Sequence, residues 1–170
     1  RLTCNARCYV AITGADMRPT VDGRAVPMWQ AFAVEAGQVL ELSAVQGGGL
    51  RAYLAVQGGF DVPEYLGSRA TFMLGRFGGH AGRALRSGDV LHLCESEGGL
   101  SAPEPLALTP PLYSNRWEIG VLYGPHAAPD FFTPQDVETL LGTDFEVHYN
   151  SDRTGVRLIG AKPAWARADG

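Results

Sequence analysis

The chain has 170 residues, 45% of them hydrophobic, which is enough apolar material for one packed domain or two small lobes. A formal charge of −4 and a pI near 5.5 leave no general electrostatic pull toward nucleic acid or anionic lipid. No run of about 18 apolar residues occurs, so no membrane span is expected, and no secretory signal is visible.

The first residues carry two of the three cysteines, Cys4 and Cys8; the third is Cys94. The odd count and low density suit reduced thiols in a cytoplasmic protein. No second Cys or His pair follows at ligand spacing, so no metal site is expected, and Cys8 and Cys94 read as small core residues on strands. Glycine (22 copies) and proline (11) cut the chain into short runs rich in Val, Leu, Ile and Tyr, the pattern of a mostly β fold with many turns.

Cys8–Thr13 is the first predicted strand. Thr20–Val26 reads as a hairpin, because Asp22-Gly23 accepts the positive φ angles of a type I′ turn. Val39–Val45 alternates, and Arg51–Val56 is apolar on both faces, as in a central strand. Asp89–Cys94 alternates again. Glu35–Leu42 and Leu85–His92 repeat one phrase, a glycine turn followed by a polar residue and an alternating run, which predicts reuse of one turn chemistry.

Residues 97–115 are broken by Gly98, Gly99, Pro103, Pro105, Pro110 and Pro111 and read as a linker between a β part (1–96) and an α+β part (116–170). Beyond it, Trp117–Leu122 is a predicted strand. One helix is predicted from Thr133 as N-cap, Pro134 at the first helical position, Asp136 and Glu138 near the positive end of the dipole, and Gly142 at the stop. Phe145–Tyr149 and Val156–Ile159 follow as strands.

Two segments suit an anionic ligand. Gly78-Gly79-His80-Ala81-Gly82-Arg83 can cradle an anion on backbone amides, or can simply turn the chain tightly. It lacks the Lys-Ser/Thr of a phosphate loop. Asn150-Ser151-Asp152-Arg153-Thr154-Gly155-Val156-Arg157 places two guanidinium forks about a turn, suited to a carboxylate or carbonyl oxygen, or else to a solvated ion pair. His126 lies in a strand-to-helix loop, where functional residues concentrate. His80, His92 and His148 have no Ser, Cys or acid at hydrolase spacing, so no triad is assembled.

The phrase Arg51-Ala52-Tyr53-Leu54-Ala55-Val56-Gln57-Gly58-Gly59-Phe60-Asp61-Val62-Pro63 resembles the allophanate hydrolase subunit 2 family, as do Leu66–Thr71, Gly78–Leu85, Gly88-Asp89 and Thr13-Gly14-Ala15-Asp16. Val121–His126, Asp130–Thr133, Asn150–Gly160 and Lys162–Gly170 look like its urea carboxylase and urea amidolyase branch, with Ala161 where proline is usual. The resemblance implies cyclophilin-like β-barrel lobes, here with a smaller α+β segment at the C-terminal end. It implies the carboxyltransferase step of a biotin-dependent ligase that moves a carboxyl group from carboxybiotin to urea, giving allophanate.

It also implies partners: urea or a similar amide or amidine, biotin carboxylase and biotin carrier domains, and a second carboxyltransferase lobe. Arg153 and Arg157 are the expected catalytic cations. Asn150, Asp152, His126, Gly78, Gly79 and Arg83 are the expected substrate contacts. Guanidine or 5-oxoproline as substrate, a regulatory binding module and an inert folding unit are the alternatives. No Ser-Ser-Lys amidase signature is present, so hydrolysis is expected elsewhere. Family members extend beyond both ends of this stretch, so the chain is expected to be an interior piece, inactive alone.

Overall fold

The computed structural model describes residues 1–95, 99–104, 108–151 and 155–168. The chain divides into two compact units, Arg1–Trp117 and Glu118–Gly170. It is mostly sheet with a single helix among the described residues.

The first unit holds β1 (Leu2–Thr3), β2 (Cys8–Gly14), β3 (Thr20–Val21), β4 (Arg24–Ala25), β5 (Ala31–Val34), β6 (Val39–Glu41) and β7 (Ala52–Val56). They form two antiparallel sheets, ordered β1-β6-β3-β4 and β5-β2-β7. Both sheets are open; neither closes into a barrel among the described residues. β2 is the organising strand. Its alternation turns Cys8, Val10 and Ile12 inward, where they meet Val34 of β5, Val21 of β3 and Leu40 of β6 in one core. Ile12 and Val34 are 0% exposed.

The Asp22-Gly23 hairpin forms as expected, with φ of 48° and 77°. Asp22 also reaches beyond its turn, accepting from Val39 N–H at 2.9 Å and from Gln38 Nε2 at 3.0 Å, which fixes β3 beside β6. The repeated phrase yields one turn built twice. Gln38 N–H donates to Glu35 O and Asp89 N–H to Arg86 O, both at 3.1 Å. The Gln38 and Asp89 side chains each accept the N–H three residues back, at 2.9 and 2.8 Å.

Four predicted strands take other forms. Arg51–Val56 gives β7, which is an edge strand and not the central one; Tyr53 is 63% exposed. Small Ala52 and Ala55 let the segment pass for a buried strand when only one face packs. Asp89–Cys94 makes only an isolated bridge, Phe60 to Leu93, because its first residue is drawn aside to Arg83. Trp117–Leu122 forms no strand and joins no ladder among the described residues. The Val39–Val45 strand ends at Glu41, since Ser43 and Gln46 N–H turn to Met17 O and Asp16 O, both at 2.7 Å.

The second unit is α+β. The helix α1 (Pro134–Gly142) starts at Thr133 in a full capping box with Asp136. Asp136 also accepts from Ala164 N–H at 2.6 Å, tying the helix start to the chain beyond β9. β8 (Glu146–Val147) and β9 (Leu158–Ile159) pair antiparallel. Phe132 packs on Trp165 with ring centroids 4.7 Å apart. No described residue of this unit is fully buried. Of the predicted linker, residues 97, 98 and 105–107 lie outside the described residues, while Ser101 O accepts from Gln57 Nε2 at 3.1 Å and belongs to the first unit.

Candidate functional site

The glycine loop of the first unit is a compact structure in its own right. Gly78, Gly79 and Gly82 have φ of 73°, 53° and 64°. A Cβ at Gly78 would stand 2.3 Å from Ala70 O, at Gly79 2.0 Å from Thr71 Oγ1, and at Gly82 2.2 Å from Arg76 O. Gly78 and Gly82 are therefore required by close backbone approach as well as by φ, and Gly79 by φ and by the Thr71 side chain against it. Arg83 anchors the loop: Nη1 and Nη2 grip Asp89 at 2.7 and 2.8 Å, and Nη1 also donates to Ala84 O at 2.9 Å. His80 Nε2 stands 3.7 Å from Asp89 Oδ1. Most of the Arg83 fork is thus engaged within the protein.

The Arg83 fork and the Arg86 amide hold the Asp89 carboxyl well below the usual carboxylate range. In acid, the unfolded chain takes up a proton at the ordinary aspartate pKa of about 3.9 while the folded chain does not, so stability falls as pH drops through and below that value. Tryptic cleavage after Arg76, Arg83 and Arg86, measured after pulses at pH 2 to 6, is expected to rise steeply at the acid end. Asp89→Asn is expected to raise cleavage at pH 6 and flatten that acid limb. An unchanged profile would mean that the pair does not hold the loop.

A cleft of about 780 Å³ opens beside β2, also within the first unit. Trp29, Met28 and Tyr113 give it apolar walls; Arg18, Asp16 and Gln46 supply polar groups. Arg18 and Trp29 are non-glycine residues at positive φ, 44° and 63°. Strain of this kind persists only where surroundings impose it, and it concentrates at functional sites. Here Arg18 N–H donates to Asp16 Oδ1 at 2.8 Å and Trp29 N–H to Ile12 O at 2.8 Å. Gln46 N–H donates to Asp16 O at 2.7 Å. Gly48 and Gly49 admit the overlying segment, since a Cβ at Gly48 would lie 2.6 Å from Tyr113 O. A second hollow of about 590 Å³ adjoins it, sharing Gly14 and Tyr113.

In the second unit, the turn after β8 is closed by Ser151, whose Oγ donates to His148 O at 2.7 Å and accepts from Arg157 N–H at 3.0 Å. Asn150 N–H donates to His148 Nδ1 at 3.0 Å, and His148 N–H to Arg157 O at 2.9 Å. Asn150 and Arg157 are thereby both bonded to His148, and both are exposed. Asp152 and Arg153 lie outside the described residues. His126 is exposed and meets Phe131 edge to face at 4.6 Å. The expected site residues thus fall in both units: Gly78, Gly79 and Arg83 in the first, His126, Asn150 and Arg157 in the second.

The family model for the carboxyltransferase domain, subdomains A and B, matches residues 1–169. The chain belongs to this family. Among carboxyltransferase relatives, it is 46% identical over 167 residues to the urea amidolyase of Saccharomyces cerevisiae, covering 95% of the chain and 9% of that protein. It superposes on the crystal structure of Kluyveromyces lactis urea carboxylase with a TM-score of 0.79 at 42% identity, covering 96% of the chain and 15% of that one. A 5-oxoprolinase subunit of Escherichia coli is more distant, at 34% identity over 152 residues, covering 89% of the chain and 47% of that protein. The chain therefore spans about a tenth of the length of the urea amidolyase it matches.

The cleft residues Arg18, Gln46 and Trp29 were not singled out by sequence reasoning. The one local signal was Arg18-Pro19, since a residue before proline is kept out of the helical region and marks a break after β2.

Proposed function

We propose that the chain forms part of the carboxyltransferase site of a biotin-dependent urea carboxylase, which hands a carboxyl group to urea and yields allophanate. The observation that carries this reading is the 46% identity to a urea amidolyase across 95% of the chain, against 34% to a 5-oxoprolinase subunit. Carboxybiotin, delivered by a carrier domain of the parent protein, would supply the activated carboxyl group. The cleft suits it: about 780 Å³ is within the usual span of small-molecule sites.

Trp29 and Met28 would hold the fused ring, and Gln46 would bond the ureido edge. Arg18 would take the negative charge that grows on an oxygen as the carboxyl leaves, its fork being suited to planar oxygen pairs. In the second unit, Arg157 and Arg153 are the proposed catalytic cations. Asn150 and Asp152 match the NH₂ and C=O groups of urea, with His126 as a further substrate contact. Within the first unit, Gly78 and Gly79 are proposed as anion-binding amides, and Arg83 would hold their loop in place through Asp89.

The reading extends to the fold and its setting. Further strands of the parent protein would pair along the open edges β1, β4, β5 and β7 and complete a cyclophilin-like barrel. Residues 97–115 would connect the barrel part to the α+β part. The other carboxyltransferase lobe and the biotin carboxylase would be its partners. Free Cys4, Cys8 and Cys94 support a cytoplasmic location.

The test uses the full-length parent enzyme. Arg18→Ala and Arg157→Ala are each expected to cut urea-dependent ATP turnover about 100-fold, the scale of losing one oxyanion donor, while biotin carboxylation from bicarbonate persists. Unchanged urea-dependent turnover in both variants would sink the site assignment. Faster turnover with guanidine or 5-oxoproline than with urea would sink the substrate assignment.

A further inference from the structure

His148 follows β8 and is half-buried, and its imidazole is a titratable acceptor inside the turn. Nδ1 accepts the Asn150 backbone N–H at 3.0 Å. A backbone amide can only donate, so Nδ1 must present a lone pair, and the neutral ring carries its proton on Nε2. Three further bonds of the turn do not involve the ring. The His148 N–H donates to Arg157 O at 2.9 Å, and Ser151 Oγ donates to His148 O at 2.7 Å and accepts from Arg157 N–H at 3.0 Å. Arg157 is thus placed through backbone and a hydroxyl, and Asn150 through the imidazole.

We propose that His148 is a positioning residue for Asn150: the neutral ring seats the Asn150 amide so that its side chain can meet urea, and a proton on Nδ1 unseats it. This rests on the reading of Asn150 as a urea contact. Protonation sets an Nδ1–H against the Asn150 N–H, two donors facing each other, so the bond is lost. Acid therefore weakens urea binding through Asn150, while Arg157, held by bonds that do not titrate, keeps its place. The two residues part company in the kinetics: KM for urea responds to the ring and kcat does not.

The surroundings of the ring fix its direction. The Tyr149 ring stacks on it, with centroids 4.3 Å apart and planes at 30°, so the plane of the imidazole, and with it the line along which Nδ1 points, is held. Arg157 faces His148 across the ladder through its carbonyl, and Glu146 stands two positions back in β8, paired with Ile159. Asp152 and Arg153 follow in the same turn and lie outside the described residues.

Urea-dependent ATP turnover of the full-length parent enzyme is the test, with KM for urea and kcat measured from roughly pH 8 to pH 5, the range over which an imidazole changes charge. In the wild type, KM is expected to rise about tenfold toward acid, the scale of one lost hydrogen bond. His148→Asn keeps an acceptor near the place of Nδ1 that cannot titrate, and its KM is expected to match wild type at the alkaline end and stay flat toward acid. His148→Phe keeps a stacking ring and loses the acceptor; its KM is expected to be raised about tenfold at every pH, with kcat within about twofold of wild type. A KM that climbs toward acid in His148→Asn as it does in wild type would overturn the proposal, and that arm decides alone if His148→Phe does not fold. A fall in kcat with KM unchanged in His148→Phe would overturn it too. Asn150→Ala separates the two layers. A KM that responds to Asn150→Ala but not to His148→Phe overturns the positioning role and leaves the urea contact standing, whereas a KM indifferent to Asn150→Ala removes the contact and the proposal with it.

Discussion

Ile12→Ala is expected to destabilise the first unit by about 4 kcal/mol, toward the upper part of the range for emptying a fully buried aliphatic site. Ile12 is 0% exposed and sits mid-strand in β2, so both sheets contribute to its surroundings. Truncation removes three carbons from a site whose neighbours are themselves fixed: Leu54 by its ladder position opposite Ile12, Val34 by its ladder position opposite Cys8. Neither can collapse inward without giving up a hydrogen bond, so the cavity persists. Because small domains hold only about 5 to 15 kcal/mol in total, one substitution takes a large share. Urea unfolding followed by circular dichroism checks this. The midpoint is expected to drop sharply at constant slope, whereas Tyr53→Ala on the exposed face of β7 should shift it by no more than about 0.5 kcal/mol. Equal shifts from the two would mean that the core is not organised around β2.

Gly82→Ala is the second large effect, and it is local. At φ 64°, with Arg76 O 2.2 Å and Arg76 C 2.4 Å from the added methyl, the clash is with backbone that cannot swing aside. Strain at such a position alone costs about 1 to 3 kcal/mol, and the steric term adds to it, so the closed loop is expected to lose about 3 kcal/mol. Tryptic cleavage after Arg76, Arg83 and Arg86 should rise by roughly two orders of magnitude, since 1.4 kcal/mol is tenfold in an equilibrium. Gly23→Ala separates the two contributions. Its φ is 77° but nothing lies within 4 Å of the new methyl, so it should cost only about 1 kcal/mol. Similar effects at both positions would show that φ, and not the approach of residue 76, decides.

What was legible in the sequence was mostly what is decided within a few residues. Asp22-Gly23 and the Thr133 N-cap draw on bonding partners two or three positions away, and both formed as read. Ladder partners are chosen across the whole chain, which is why β7 landed at an edge and residues 117–122 joined no sheet among the described residues. The Arg83–Asp89 grip shows the same divide. Both residues stood out in the family motifs, yet their pairing spans six residues of irregular loop that no periodicity describes. The cleft was least legible, because positive φ at Arg18 and Trp29 is imposed by the strands beneath and has no residue-type signature. The carboxyltransferase family was recognisable because whole phrases, not single residues, carry it.

The twin turns at 35–38 and 86–89 differ in one respect that matters beyond their shape. A side-chain oxygen closes each, from an amide at Gln38 and from a carboxylate at Asp89. Geometry is indifferent to that choice; charge is not. With glutamine the turn is uncharged, and its amide reaches Asp22 beside β3 through a hydrogen bond. With aspartate the same turn becomes a counter-ion, and Arg83 fastens the glycine loop to it. A unit of turn grammar used twice in one chain has thus acquired, at its second use, an ionic tether.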